Sequence, residues 1–126
     1  MNPTASEPIT LEIPKLADWL NLNQQLHWAP RNKRAQAWRN GAHIYARKHR
    51  LPKNLQHVRI DAYVWKSSKR TYDPHNLMAT LKPVVDGLVD YGLIPDDNTR
   101  HLDGPFIHHG GYGPEKLVVV IQPTDN

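Results

Sequence analysis

The first predicted element is a short β-strand near the beginning of the chain. Its apolar residues alternate with polar ones, at Ile9, Leu11 and Ile13. A period of two residues is typical of a strand that buries one face, and Pro14 marks its end. Residues 15–30 show no regular period and are rich in Asn and Gln, so we expect an irregular segment there. Its expected apolar anchors are Leu22, Leu26 and Trp28.

A long amphipathic helix is predicted from Asn32 to Arg50. Its apolar residues recur every three or four positions, which is the period of one helical face. They are Ala35, Trp38, Ala42 and Tyr45. The other side of this helix is basic and carries Lys33, Arg34, Arg39, Arg47, Lys48 and Arg50. Pro52 follows and ends the helix, because proline lacks the backbone N–H that a further turn needs.

A strand and a second helix follow. Residues 57–65 alternate cleanly, which predicts a strand with one apolar face. That face carries Val58, Ile60, Ala62 and Val64.

A second helix is predicted after the basic loop, which spans residues 66–72. This helix should run to about Tyr91 and end at Gly92, since glycine readily adopts the left-handed conformation of a helix C-cap. Pro83 lies inside this span. Either the helix is kinked there, or a short turn precedes a main helix that has Pro83 in its first turn.

Two further strands are predicted near the end of the chain. The first is weak and spans about Arg100 to His108, and the loop Gly110–Pro114 is interpreted as a hairpin connection. The second, Leu117–Ile121, is a continuous β-branched run that suits a central buried strand. The order strand, helix, strand, helix, strand, strand predicts one α/β (α+β) domain over residues 1–126. In it, two main helices pack on a mixed β-sheet.

The distribution of charge along the chain indicates an anionic partner. The formal net charge is +4, but residues 15–70 hold 13 Lys and Arg against only two acids, Asp18 and Asp61, for a local charge of +11. Residues 71–126 hold three basic residues against eight acidic ones, for a local charge of −5. A region as basic as the first attracts polyanions, with DNA or RNA the default candidate. The simpler interpretation is that the basic helix face is only solvated.

The composition excludes several kinds of site. The chain has no cysteine, which rules out disulfides, thiolate metal sites and cysteine nucleophiles and fits a reducing compartment. No apolar run reaches the length of a membrane span, and the first seven residues lack the basic and apolar regions of a signal peptide. We therefore expect a cytoplasmic, DNA-associated protein with no membrane partner.

The acidic residues of the second half form the predicted chemical site. They include Asp73, Asp86, Asp90, Asp96 and Asp97, with Lys82 among them. Because DNA repels bare carboxylates, acids concentrated in a DNA-binding protein indicate a divalent metal ion, which polarises a phosphate and generates hydroxide. Asp73 follows a predicted strand and Asp97 follows a predicted helix, so we expect the two to converge. A nearby lysine would stabilise charge that develops on the phosphate.

Each of these residues also has an ordinary structural explanation. Asp73-Pro74 is a common turn initiator, and Asp96-Asp97 suits a loop. Lys82 and Asp86 have the spacing of an ion pair on one helix face, provided that the helix is continuous through Pro83. Three histidines invite a zinc interpretation but lack ligand spacing, so we expect them to be exposed; they are His101, His108 and His109.

The order of these residues as a set is more specific than any one of them. The set is Asp73-x-His75-Asn76-Leu77, Lys82-x-x-x-Asp86-x-Leu88, Gly92 and Asp96-Asp97. It resembles the RusA family of crossover junction (Holliday junction) endodeoxyribonucleases. The pattern of that family is Asp-x-Asp-Asn-Leu, a lysine, an aspartate four residues later and a closing pair of aspartates. The strong match covers residues 73–97, and looser agreement extends over nearly the whole chain.

The resemblance implies a role for each matched residue. Asp73 matches the first metal-binding aspartate, Asp97 the last, Lys82 the catalytic lysine and Asp86 the aspartate inside the helix. His75 stands where the family commonly has a second aspartate. Since imidazole suits manganese or zinc better than magnesium, His75 either remains a ligand with altered metal preference or leaves the set. The expected ligands are Asp73, His75, Asp86 and Asp97, and the expected cofactor is Mg²⁺, with Mn²⁺ the alternative.

The activity implied by the resemblance is that of a homodimeric endonuclease that resolves Holliday junctions by paired symmetric nicks. A two-fold symmetric four-way junction of double-stranded DNA needs two active sites related by the same symmetry. The residues expected to contact phosphates are Arg31, Lys33, Arg34, Arg39, Lys69 and Arg70. Two alternatives stay open: a nuclease for other branched DNA such as flaps or forks, and a junction-binding module whose metal site has decayed.

Overall fold

The order of elements along the chain agrees with the prediction. A computed structural model describes residues 7–23 and 27–124. Within them lie strand β1 (Ile9–Pro14), helix α1 (Trp28–Lys48), strand β2 (Val58–Lys66), a 3₁₀ turn (Pro74–Leu77), helix α2 (Met78–Tyr91), strand β3 (Leu102–Tyr112) and strand β4 (Lys116–Pro123). None of the helices in this part of the chain is long and apolar enough to cross a membrane.

The four strands form one mixed sheet in the order β1-β4-β2-β3. Strand β4 pairs antiparallel with β1 and with β2, and β2 pairs parallel with β3. The parallel pair requires a crossover connection, which the 3₁₀ turn and α2 provide. The prediction that the last strand is central is confirmed, because β4 has a neighbour on each side.

The predicted hairpin between the last two strands is wrong. Strand β2 lies between β3 and β4, and β3 continues through Gly110 and Gly111 to Tyr112. These glycines serve a close approach within the sheet: a Cβ atom on Gly110 would lie 2.7 Å from Nε1 of Trp65. A glycine pair that predicts a turn therefore belongs to a strand here, because an aromatic side chain lies directly against its backbone.

One face of the sheet is buried against both helices. Alternate residues of β1, β2 and β4 join the apolar core, for example Ile13, Ile60 and Val119, whereas β3 contributes Leu102 and Ile107. Trp38 and Ala42 of α1, with several residues of α2, complete this core. The opposite sheet face is only partly buried, and no helix of residues 7–23 and 27–124 packs on it. The architecture is a single α+β domain with two helices on a mixed sheet, as predicted.

Two of the three apolar anchors predicted within residues 15–30 are wrong. Leu22 is 57% exposed and Trp28 is 79% exposed, and Leu26 lies outside the described residues. Among the residues of this segment that the structure describes, Trp19 and Leu20 are buried. Trp19 stacks on Trp38 of α1 with 5.1 Å between ring centroids, and the backbone N–H of Leu20 donates to Oγ1 of Thr80 in α2. Helix α1 accordingly begins at Trp28, four residues earlier than expected.

Helix α2 combines features of both alternatives that the sequence left open. A short 3₁₀ turn precedes it, but Pro83 is the sixth residue of α2 and thus lies beyond its first turn. The helix is continuous through Pro83, so residues four apart on either side of this proline share a face. It ends at Gly92, which has φ 103° and is the predicted left-handed C-cap.

Candidate active site

Lys82 bridges two carboxylates that are distant in sequence. Its Nζ donates to Oδ1 of Asp86 at 3.1 Å and to Oδ2 of Asp97 at 2.5 Å. Asp86 lies one turn along α2, and Asp97 lies in the connection that returns from α2 to β3. The hydrogen bond from Lys82 lowers the pKa of Asp97, and the bonds that Lys82 donates to Asp97 and Asp86 raise its own pKa. The structure thus brings together three of the residues predicted to carry the chemistry.

A cavity of about 230 Å³ opens beside this cluster. Lys82 and Asp97 supply its charged rim, and apolar groups from α2 and β3 form most of its wall. These are Met78, Val85, Leu102, Gly104 and Pro105. The wall residues from β3 were not part of the sequence prediction, since nothing in their pattern indicates that this end of β3 faces α2. The charged groups therefore stand at the mouth of an apolar recess.

Arg39 extends the cluster to helix α1. Its guanidinium binds Asp90 through two hydrogen bonds, of 2.7 and 2.9 Å, and its Nη1 lies 3.9 Å from Asp86. The bonds from Arg39 lower the pKa of Asp90. The result is an alternating chain of charges in the order Asp90, Arg39, Asp86, Lys82, Asp97. Arg39 was expected to contact DNA phosphates, but the structure engages it with carboxylates of α2.

The approach of the two helices depends on Gly87. A Cβ atom on Gly87 would lie 2.2 Å from the carbonyl oxygen of Arg39. With hydrogen in place of a side chain, α2 packs directly against the backbone of α1. This contact puts Arg39 within reach of Asp86 and Asp90, which flank Gly87 in the sequence of α2. The position of Asp86 is therefore set by helix packing as well as by its own helix.

Asp73 and His75 form a separate pair at the 3₁₀ turn. Oδ1 of Asp73 caps this turn by accepting the backbone N–H of His75 at 3.0 Å, and both side chains are exposed. Within residues 7–23 and 27–124, no three or more His, Asp or Glu side chains form a group that could hold a metal ion. The structure thus places the four predicted ligands as two pairs, Asp73 with His75 and Asp86 with Asp97. The complete ligand set stays a prediction.

Asp96 has a structural role in the loop that carries Asp97. Its Oδ1 accepts the backbone N–H of Asp97 at 2.8 Å, and its Oδ2 accepts Nδ2 of Asn98 at 3.3 Å. These bonds hold the backbone at Asp97 while leaving the side chain of Asp97 to Lys82. Of the two adjacent aspartates, only Asp97 belongs to the charged rim of the cavity.

The other predicted phosphate contacts lie on α1 and on the loop between β2 and the 3₁₀ turn. Lys33, Lys69 and Arg70 are exposed. Arg34 is partly buried and lies 3.5 Å from Asp18. Arg31 lines a shallow surface groove with Trp28, Asn32 and Ala35. Lys33, Lys69 and Arg70 are therefore the most accessible of these cations to an anionic partner, whereas Arg31 and Arg34 are partly buried.

The basic loop is anchored by Glu115, a residue that was not predicted to have a role. The carboxylate accepts the backbone N–H and the hydroxyl of Ser67, each at 3.0 Å, and Nε1 of Trp19 at 3.0 Å, and it lies 3.0 Å from Nζ of Lys15. Burial acts to raise the pKa of Glu115, but these donors outweigh it and lower the pKa to about 2. No local sequence signal marks this residue, because its partners come from distant segments.

The three histidines that invited a zinc interpretation have separate partners. Nε2 of His108 lies 2.8 Å from Oδ1 of Asp61 on the partly exposed sheet face. Hydrogen bonds from Arg59, and to a smaller extent the one from His108, lower the pKa of Asp61. His109 bonds to the hydroxyl of Tyr72. Nδ1 of His101 lies 2.8 Å from the carbonyl oxygen of Gln56.

No protein-family model and no curated protein matches this chain. The resemblance to the RusA family therefore stays an expectation that residues 73–97 carry. What the structure adds is the cluster of Lys82, Asp86 and Asp97, of which Lys82 and Asp97 line the cavity.

Proposed function

We propose that this chain is a metal-dependent endonuclease that hydrolyses phosphodiester bonds in branched DNA, with the Holliday junction as its substrate. The observation that carries the proposal is the position of Lys82 between Asp86 and Asp97 at the mouth of a cavity. Carboxylates can hold a divalent ion that assists phosphate hydrolysis, and a nearby lysine can stabilise the charge that develops on the phosphate.

The residues present fit a hard divalent cation. Oxygen atoms of Asp86 and Asp97 already converge on one cationic group, the ammonium of Lys82, and carboxylate oxygens are the ligands that Mg²⁺ and Mn²⁺ favour. When bound, such an ion polarises a phosphate and lowers the pKa of a bound water. Asp73 and His75 would complete the ligand set, and the imidazole of His75 would favour Mn²⁺ over Mg²⁺.

The remaining residues of the proposed site bind and orient DNA. Lys82 neutralises the charge that develops on the phosphate. Lys33, Lys69 and Arg70 are exposed and contact backbone phosphates, so we expect affinity that falls steeply with salt and little sequence preference. A homodimer would present two such sites to the two symmetry-related strands of a junction.

A cleavage assay on a synthetic four-way junction tests the proposal. The full-length chain is incubated with the junction and either Mg²⁺ or Mn²⁺, beside Asp97→Asn and the matched control Asp103→Asn. Asp103 is an exposed aspartate of β3 that lies 3.9 Å from Arg59 and outside the cavity rim. We expect Asp97→Asn to lose on the order of 100-fold or more in cleavage rate while it keeps or strengthens junction binding, because removing a carboxylate charge lessens the repulsion of DNA. The control should cut as fast as the wild type.

Cleavage that survives in Asp97→Asn would refute the assigned site. Flaps, forks and linear duplex in the same assay separate a junction resolvase from a nuclease for other branched DNA. A resolvase should prefer the four-way junction and should nick two symmetry-related strands.

A second candidate is a junction-binding module without catalysis. The separation of the four predicted ligands into two pairs favours it. In that case the wild type binds the junction and cuts nothing with either metal, and Asp97→Asn changes neither junction affinity nor its response to metal.

A further inference from the structure

The two carboxylates that bind Lys82 are held by other parts of the protein. The backbone N–H of Asp97 donates to Oδ1 of Asp96, which holds the loop at this point. The carboxylate of Asp86 lies 3.9 Å from Nη1 of Arg39. The side chains of Asp86 and Asp97 are only 26% and 29% exposed, whereas that of Lys82 is 68% exposed. The carboxylates therefore form the fixed part of the cluster, and the ammonium is the part that can move into solvent.

The ammonium stands where a cation shared by both carboxylates would stand. It lies 2.5 to 3.1 Å from one oxygen of each. A magnesium ion sits about 2.0–2.1 Å from each of its ligand oxygens. An ion bound to these same two oxygens would overlap the position of Nζ, and its two positive charges would repel the ammonium in any case. Lys82 and a divalent ion cannot occupy this position together.

We propose that Lys82 fills the cation position of the metal-free protein, and that a divalent ion binds Asp86 and Asp97 by displacing the ammonium. This inference rests on the proposed function, which supplies the metal. The displaced side chain extends from the cavity rim into solvent, where it is free to bind a DNA phosphate. Lys82 is thus a competitor of the metal before binding and a phosphate contact after it.

The exchange has a consequence for the order of binding. A phosphate that attracts Lys82 away from the carboxylates leaves the cation position open, so DNA and metal each favour the binding of the other. In the metal-free protein the ammonium neutralises carboxylates that would otherwise repel DNA. The same lysine therefore makes an acidic cluster compatible with a DNA-binding surface.

Calorimetric titration of the full-length chain with Mn²⁺ tests this competition without requiring cleavage. The variants are Lys82→Met, which removes the charge, Lys82→Arg, which keeps it, and Lys116→Met as the matched control. Lys116 also forms a carboxylate pair, at 2.6 Å from Glu12, but lies outside the cavity. We expect Lys82→Met to bind Mn²⁺ about tenfold more tightly than the wild type, which corresponds to about 1.4 kcal/mol. Lys82→Arg and Lys116→Met should bind with the affinity of the wild type.

The double variant Lys82→Met with Asp97→Asn locates the bound ion. The double variant should lose the higher Mn²⁺ affinity expected of Lys82→Met. Circular dichroism verifies that every variant is folded. One outcome is that Lys82→Met binds Mn²⁺ no more tightly than the wild type while the double variant binds more weakly. The metal and the lysine then coexist, so the competition is refuted and the proposed nuclease stands. If neither the wild type nor Lys82→Met binds Mn²⁺, or if the double variant binds as Lys82→Met does, both the competition and the proposed metal site are refuted.

Discussion

The carboxylate of Glu115 joins three segments that are far apart in sequence, and its replacement by glutamine tests how much this junction stabilises the fold. Glu115→Gln keeps the size of the side chain and removes its charge. The change weakens the bonds from Trp19 and Ser67 and ends the ion pair with Lys15. We expect lower stability and a looser anchor for the basic loop that follows Ser67.

The size of the effect follows from the pKa of Glu115. Its pKa is lowered from 4.5 to about 2, and each tenfold change in proton affinity corresponds to about 1.36 kcal/mol, so the charged form gains at most about 3.4 kcal/mol on folding. The side chain is 16% exposed, and solvent screening reduces this value, so we expect a loss of about 2 kcal/mol at neutral pH. For a chain of this length, that loss lowers the melting temperature by about 7 °C.

The pH dependence distinguishes this mechanism from a simple packing defect. A carboxyl group whose pKa is lowered on folding contributes its full stability above the unfolded pKa of 4.5, and the contribution falls as the pH approaches 2. The difference in unfolding free energy between wild type and Glu115→Gln should therefore be greatest above about pH 5.5 and lose more than half its value by about pH 3.

Urea unfolding followed by tryptophan fluorescence, repeated from pH 3 to pH 7, measures this difference. The matched control is Glu12→Gln. Glu12 forms a single pair with Lys116 and its side chain is 60% exposed, so its replacement should cost less than about 1 kcal/mol. A difference for Glu115→Gln that stays constant across this pH range would refute the electrostatic reasoning.

Two further predictions concern helix packing and DNA contact. Gly87→Ala should destabilise the fold by about 1–3 kcal/mol, because the added Cβ meets the backbone of Arg39 and separates α1 from α2; an unchanged urea midpoint would contradict this packing. Lys69→Ala with Arg70→Ala should weaken junction binding and reduce the slope of log affinity against log salt by about 2, since both side chains are exposed and each is expected to neutralise one phosphate. Fluorescence anisotropy at several salt concentrations measures that slope, and a slope equal to that of the wild type would remove the loop from the DNA interface.

The sequence by itself determined the order of the elements and the face that the regular ones bury. The alternation over 57–65 reports directly which side of β2 is apolar, and Gly92 marks the end of α2, because periodicity and capping are properties of neighbouring residues. The spacing of Lys82 and Asp86 likewise indicated a shared helix face. These features need no knowledge of what packs against the element.

The tertiary structure alone decided which elements meet. The position of β2 between β3 and β4, and the strand conformation of Gly110, depend on pairing partners that no local pattern encodes. The site follows the same rule. Asp97 reaches Lys82 only because the chain returns past α2, and Arg39 binds Asp90 only because Gly87 lets the helices touch. Local periodicity describes the surface of an element, whereas long-range contacts depend on how the surfaces of separate elements fit together.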